Sequence, residues 1–268
     1  MPRRPLTLMA VHAHPDDEAT AGGVLARYAA EGLTTVLVTC TNGELGDSGN
    51  VKPGDEGHQL HDVAAVRAAE LAESCRILGV TQAHSLGYRD SGMMGWAQNG
   101  APGSFWSTPL EEAAGRVAAL VEQYRPDVVT TYDDRGFYGH PDHIQAHRAT
   151  VAALDRTGSP AKLYLSAVRR SSMAVLRAQL GDAAVDLPPD SPDFGMADSE
   201  IGADIDCAAQ VQQKHDALAA HRSQVDNVFF LRLPAPVFAQ MMGREAFLRA
   251  RPERTDAGVE DDLFAGLR

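Results

Sequence analysis

Two short stretches concentrate the residues able to do chemistry. "VHAHPDDE" (11–18) sets His12, His14, Asp16, Asp17 and Glu18 directly after the apolar run "LTLMA". "YGHPDHIQAH" (138–147) sets Tyr138, His140, Asp142, His143 and His147 soon after "DVVTTYDD". Two imidazoles and a carboxylate from separate segments make a ligand set for a catalytic divalent metal, with the remaining positions left to water and substrate. Pro141 suits the first turn of a helix. On that helix His140 and His143 lie near one face, with His147 one turn further on. Asp16 and Asp17 alone would also serve as helix caps; the recurrence of His-Pro-Asp at two strand ends is what favours a metal.

Two chemistries fit such a site. His14, Asp16 and His143 have the composition of the facial triad of non-haem iron oxygenases, but those sites sit in β-barrels, and the second aspartate would have no task. Amide hydrolysis uses every member. One aspartate binds the metal while its neighbour takes a proton from the attacking water, whose pKa the metal lowers as it polarises the scissile carbonyl. A second imidazole stabilises the oxyanion or protonates the leaving amine, and Tyr138 adds a phenolic hydrogen bond. A non-catalytic metal or sugar-binding module is the third reading. Asp16 speaks against it, since binding alone needs no base beside a ligand.

These residues need elements to hold them. "LTLMAVHA", "TTVLVTC", "AHSLGY", "PDVVTTYDD" and "AKLYLSAV" read as strands, mostly buried. They alternate with helical patterns in "EATAGGVLARYAAEG", "DVAAVRAAELAESCRILGV" (closed by Gly79 as C-cap), "LEEAAGRVAALVEQY" and the segment after Pro141. Near-continuous apolar strands alternating with helices predict a mostly parallel α/β sheet covered on both faces. Ligands then bind beyond the carboxyl ends of the strands, where both clusters lie. Further on, "SSMAVLRAQL" and "CAAQVQQKHDALAAHRSQ" read as helices, "GDAAVDLPPDSPDFGMADSE" as a loop, and the last twenty residues as polar and irregular. No repeat or linker divides the chain. One domain, 1–268, is expected, with 1–160 carrying the metal motifs and 161–268 lining the substrate side.

Composition narrows the partners. With 268 residues and a formal net charge of −12, non-specific binding to nucleic acid or to an anionic membrane is not expected. Cys40, Cys75 and Cys207 are too scattered for a disulfide framework. The N-terminal apolar run is too short for a signal peptide, and no window reaches a membrane span. A cytoplasmic protein acting on a small molecule is the expectation, and homo-oligomerisation is left open.

Taken together, "AHPDDE", "TCTNGELGD" and "YGHPDHIQAH" resemble the zinc-dependent LmbE/PIG-L N-deacetylases, over most of residues 6–150 and again at "KHDALAAHRSQ". The similarity is greatest to the mycothiol branch, which holds the N-acetylglucosaminyl-inositol deacetylases and the mycothiol S-conjugate amidases. The resemblance implies a Rossmann-like fold and one Zn2+ per chain, with Fe2+ as the alternative, held by His14, Asp17 and His143. It implies Asp16 as general base and His140 as general acid or oxyanion stabiliser. Asp142 would be the partner that orients His140 and raises its pKa, and Tyr138 a mobile aid to the transition state. It places Arg67 on the inositol-side polar groups of the substrate and Asp90 on its sugar hydroxyls. His12, Glu44, Asp47, His147 and His221–Gln224 are given supporting or packing roles. Ala21 stands where the amidase pattern has lysine, whereas "DDLFAGLR" looks like an amidase ending. The implied reaction is N-deacetylation of an N-acetyl amino sugar, with thiol-conjugate hydrolysis as the alternative.

Overall fold

The computed structural model describes residues 4–180, 195–224, 228–253 and 258–268. The sheet begins with β1 (Thr7–His12), which leads through α1 (Asp17–Thr20) and α2 (Gly22–Ala30) to β2 (Thr34–Thr41). Then α3 (Leu60–Leu78) and β3 (Gln82–Tyr88) complete the first half, and α4 (Leu110–Tyr124) leads to β4 (Val128–Thr131). A kinked single turn, α5 (Gly136–Gly139), runs into α6 (Pro141–Thr157), β5 (Lys162–Ala167) and α7 (Arg170–Leu180). The remainder supplies β6 (Ala203–Asp206), α8 (Val211–Ala220), α9 (Val228–Leu231), α10 (Ala235–Met242) and β7 (Arg244–Arg251).

Seven strands form one sheet in the order β3-β2-β1-β4-β5-β7-β6. The first five are mutually parallel, and β7 runs antiparallel to β5 and β6. Side chains alternate across β1: Leu8 and Ala10 join the core beneath α2, α3 and α8, while Met9 and Val11 join the one beneath α4 and α6. Winding from β1 outward to β3 and then back across to β4 makes a topological switch between β1 and β4. The loops after those two strands carry the two histidine clusters.

Gly79 closes α3 with φ 72°, and Pro141 opens α6, both as the sequence predicts. Two expectations change. The helix expected over 207–224 is α8 only to Ala220, because the chain turns at His221 and "HRSQ" forms a separate tight turn. The C-terminal residues are not simply polar and irregular: β7 pairs through Arg251, and Leu263 and Phe264 are fully buried. Of the loop expected over 181–200, residues 181–194 lie outside the described residues, and Asp198–Glu200 form a single 3-10 turn. All three cysteines are buried and free, and no described helix is long and apolar enough to cross a membrane.

Candidate active site

Asp17 lies between two imidazoles. Its Oδ2 is 3.3 Å from His14 Nδ1 and its Oδ1 is 3.6 Å from His143 Nε2. The same Oδ2 accepts the His14 backbone N–H at 2.7 Å and the Tyr132 hydroxyl at 2.6 Å. Tyr132, at the end of β4, also accepts the Ala13 N–H at 2.7 Å and stacks on His143 at 4.1 Å between ring centroids. It thus ties the β1 loop to α6. The sequence reading missed Tyr132; its signal was a tyrosine ending a buried strand immediately before "DD".

The set fits a divalent cation. His143 Nε2 is buried with no hydrogen-bond partner, although it faces a carboxylate. A buried imidazole normally finds a partner, and a neutral imidazole with a free nitrogen is a metal ligand. His14, His140 and His143 also present ring nitrogens close enough together to share one ion. Burial, despite the pull of Asp17, brings the His143 pKa down to about 4. Asp17 shifts the other way: burial would raise it, but His143 and His14 hold it well below the ordinary carboxylate range.

Asp16 is half-buried beside this group. Burial pushes its pKa up to about 6 against the opposing guanidinium of Arg67, with the neighbouring Asp17 adding to the rise. Arg67 Nη2 lies 3.1 Å from Asp16 Oδ1. Arg67 is itself buried, donating to the carbonyls of Gly43 (2.7 Å) and Pro15. Gly43, at φ +64°, and Gly46 admit it: a Cβ at either would come within 2.5 Å of Nη1. Arg67 therefore braces the loops that carry Asp16.

His140 caps α6, its Nδ1 accepting the Asp142 N–H at 3.2 Å. In the neutral ring that places the proton on Nε2. Burial, reinforced by His14 and His143, lowers its pKa to about 2. The expectation that Asp142 orients His140 and raises its pKa is corrected on both counts. The fully buried Asp142 carboxylate points to His14 instead, 3.2 Å from Nε2, and accepts the Ser91 N–H at 2.9 Å. Position N2 of a helix carries its side chain away from the N-cap ring, so only the Asp142 backbone reaches His140.

Asp90 lies 3.7 Å from His14 Nε2, and its Oδ1 accepts the Gly92 N–H at 2.8 Å. Tyr138 is exposed on the α5 turn, its ring 5.2 Å from that of His143 and 6.0 Å from that of His140. Phe137 before it has φ 62°, outside helical space. His12 is buried at the edge of the Tyr132 ring with neither nitrogen hydrogen-bonded. His147 Nδ1 contacts the Tyr132 carbonyl at 2.9 Å. Glu44 accepts the Asp90 N–H, and Asp47 pairs with Lys52. Gln224 exchanges two hydrogen bonds with the Asp47 backbone, so "HRSQ" braces the loop after β2.

A family profile described as "PIG-L: GlcNAc-PI de-N-acetylase" matches residues 9–154, which hold both histidine clusters. The chain belongs to the PIG-L family. Among PIG-L relatives, a 1D-myo-inositol 2-acetamido-2-deoxy-alpha-D-glucopyranoside deacetylase of Acidothermus cellulolyticus is 43% identical, covering 97% of this chain and 95% of its own. The enzyme of the same name from Salinispora arenicola is 41% identical over 97% and 91% of the two chains. A conserved protein of Thermus thermophilus shares the architecture at a TM-score of 0.57, with 25% identity over 94% of this chain and 97% of that one. The α/β Rossmann-like sheet is thus that of a PIG-L protein, and N-deacetylation is the family's reaction.

Proposed function

We propose that this PIG-L protein hydrolyses the acetamide of an N-acetylglucosaminyl-inositol, using a zinc ion held by His14, Asp17 and His143. The observation that carries the reading is the Asp17 carboxylate set between His14 Nδ1 and an unpartnered, buried His143 Nε2. A divalent metal bound there would supply Lewis acidity towards the attacking water and the amide carbonyl. Asp16, with its raised proton affinity, accepts the proton of the attacking water. His140, a neutral ring with its proton on Nε2, donates a hydrogen bond to the developing oxyanion, and the proton that Asp16 took from the water passes to the leaving amine. Tyr138, free on its turn, adds a second donor. Asp142 and Asp90 flank the outer nitrogen of His14 and hold the ring in place. Asp90 and Arg67 are the candidate contacts to sugar and inositol hydroxyls, Arg67 through its edge beside Asp16.

The relatives named as inositol-glycoside deacetylases, together with Ala21 in place of lysine, favour the deacetylase branch over the conjugate amidase. The test is release of primary amine from N-acetylglucosaminyl-inositol, mycothiol S-conjugates and free N-acetylglucosamine. Zinc-dependent turnover of the first, exceeding the others in kcat/KM, is expected. Preferential turnover of an S-conjugate would overturn the branch assignment, and turnover of none would overturn the activity.

A further inference from the structure

Asp16 carries its side chain on a backbone that a non-glycine residue seldom adopts, φ 115° and ψ −24°. Such a conformation persists only where the surroundings over-determine it. On one side Arg67 grips the Pro15 carbonyl and the Asp16 carboxylate. On the other, the Asp16 N–H donates to Glu18 Oε2 at 2.9 Å. The second Glu18 oxygen accepts Ser74 Oγ at 2.5 Å and His221 Nε2 at 2.6 Å. The Glu18 and His221 side chains are both fully buried. The link spans 203 residues, from the start of α1 to the turn that ends α8.

A buried ion pair is a poor device for stability, because desolvating both charges offsets most of their attraction. This pair has a more specific geometry. His221 and Ser74 fix the carboxylate whose remaining oxygen holds the one backbone N–H that sets the orientation of Asp16. We propose that Glu18 and His221 are positioning residues for Asp16, keeping its strained backbone in the conformation that presents the carboxylate to the attacking water. The proposal rests on the reading of Asp16 as proton acceptor. It also gives the "HRSQ" turn a task in the reaction that packing alone would not.

The test is a set of thermodynamic cycles. His221→Ala, His221→Gln and Ser74→Ala are each made in the native chain and in Asp16→Asn, with kcat, KM, bound zinc and circular dichroism measured for all. His221→Ala is expected to lower kcat about 10- to 100-fold, the scale on which small misplacements act, with KM and zinc content unchanged. His221→Gln keeps a donor towards Glu18 and is expected to recover most of that loss. Neither substitution should cost more than about twofold in Asp16→Asn, where the positioned group no longer works; coupling of this kind marks residues that act as a unit. Equal losses in both backgrounds, or a kcat unaffected by His221→Ala and Ser74→Ala alike, would overturn the proposal. Should His221→Ala fail to fold, Ser74→Ala decides in its place, since it removes one donor without stranding a charge. Native kcat in Asp16→Asn would instead overturn the role of Asp16 itself, a distinct result.

Discussion

Asp16 and Asp17 are adjacent carboxylates with opposite proton affinities. Burial acts on both, but Asp17 faces two imidazoles and is held low, while Asp16 is pushed up to about 6. Environments that split neighbouring groups in this way assign them different roles. Asp16→Asn should therefore lower kcat about 10²- to 10⁴-fold with zinc content unchanged by elemental analysis; a zinc-free Asp16→Asn protein would contradict the split. Asp142 belongs to the other side of the site. If its carboxylate steadies His14, Asp142→Asn should weaken zinc binding about 10- to 100-fold in chelator competition. Unaltered affinity with an altered pH profile would return Asp142 to His140. The Glu18–His221 pair makes a pH-dependent contribution to the metal-free fold. Burial opposes ionisation of each, yet each partner outweighs it, lowering Glu18 below 4.5 and raising His221 above 6.5. A depressed acid loses its contribution as pH falls through its folded pKa, and a raised base as pH rises through its own. The Tm gap between the native chain and a Glu18→Gln/His221→Gln double variant should be widest between about pH 4.5 and 6.5 and narrow on both sides. A gap that is flat across pH would mean the pair is not ionised.

At the scale of elements, the segment "DSGMMGWAQNGAPGSFWSTP" is divided in use. Phe105 is fully buried and stacks on Tyr88 at 5.0 Å, whereas Met93, Met94 and Trp96 remain exposed. Ser91 anchors it to the site by donating its N–H to Asp142, accepting the Trp106 N–H on Oγ and accepting Asn99 Nδ2 on its carbonyl. Phe105→Ala should cost about 3–5 kcal/mol of unfolding free energy, and Trp96→Ala well under half of that, both by urea titration. Comparable costs would mean that the exposed residues pack as tightly as the core. The elements most legible in the sequence were those with unambiguous local signals: β1, β2 and β4 as β-branched runs, α3 and α4 as long periodic segments, and Pro141 and Gly79 as punctuation. β7 was missed because "REAFLRAR" interleaves Glu245 and arginines with its buried Phe247, and the burial of Glu245 rests on distant partners, Lys214 and the N–H groups of Gly23 and Val24. The two histidine clusters were legible because His-Pro-Asp is local. The partner of Asp142 was not, since His14 lies 128 residues away and its contact follows from helix geometry that spacing alone does not give.

At the scale of the molecule, the C-terminal third braces the helices that follow the first histidine cluster. Glu245 on β7 accepts the N–H groups of Gly23 and Val24 at 2.8 and 3.0 Å, so a carboxylate sits at the positive end of α2, with Lys214 of α8 2.6 Å away. The final segment completes the clamp. Glu260 receives Lys162 at 2.9 Å and Arg249 at 3.2 Å, and the Tyr164 hydroxyl donates to it at 2.5 Å. Beyond it the Leu263 N–H donates to the Tyr28 hydroxyl at 2.8 Å, and the Phe264 ring meets the Tyr28 ring edge-on at 4.9 Å. Tyr28 is itself fully buried on α2, so the strap fills core space rather than lying on the surface. Phe264→Ala would leave a cavity against Tyr28 and should lower unfolding free energy by about 3–5 kcal/mol. Because Phe264 lies against α2 and touches none of the groups proposed to bind metal or move protons, turnover per folded molecule well below the variant's Tm should stay near native. An unchanged midpoint in urea would show that the strap is dispensable to the core. A loss of turnover at full folding would show that α2 transmits its position directly to Asp16 and Asp17.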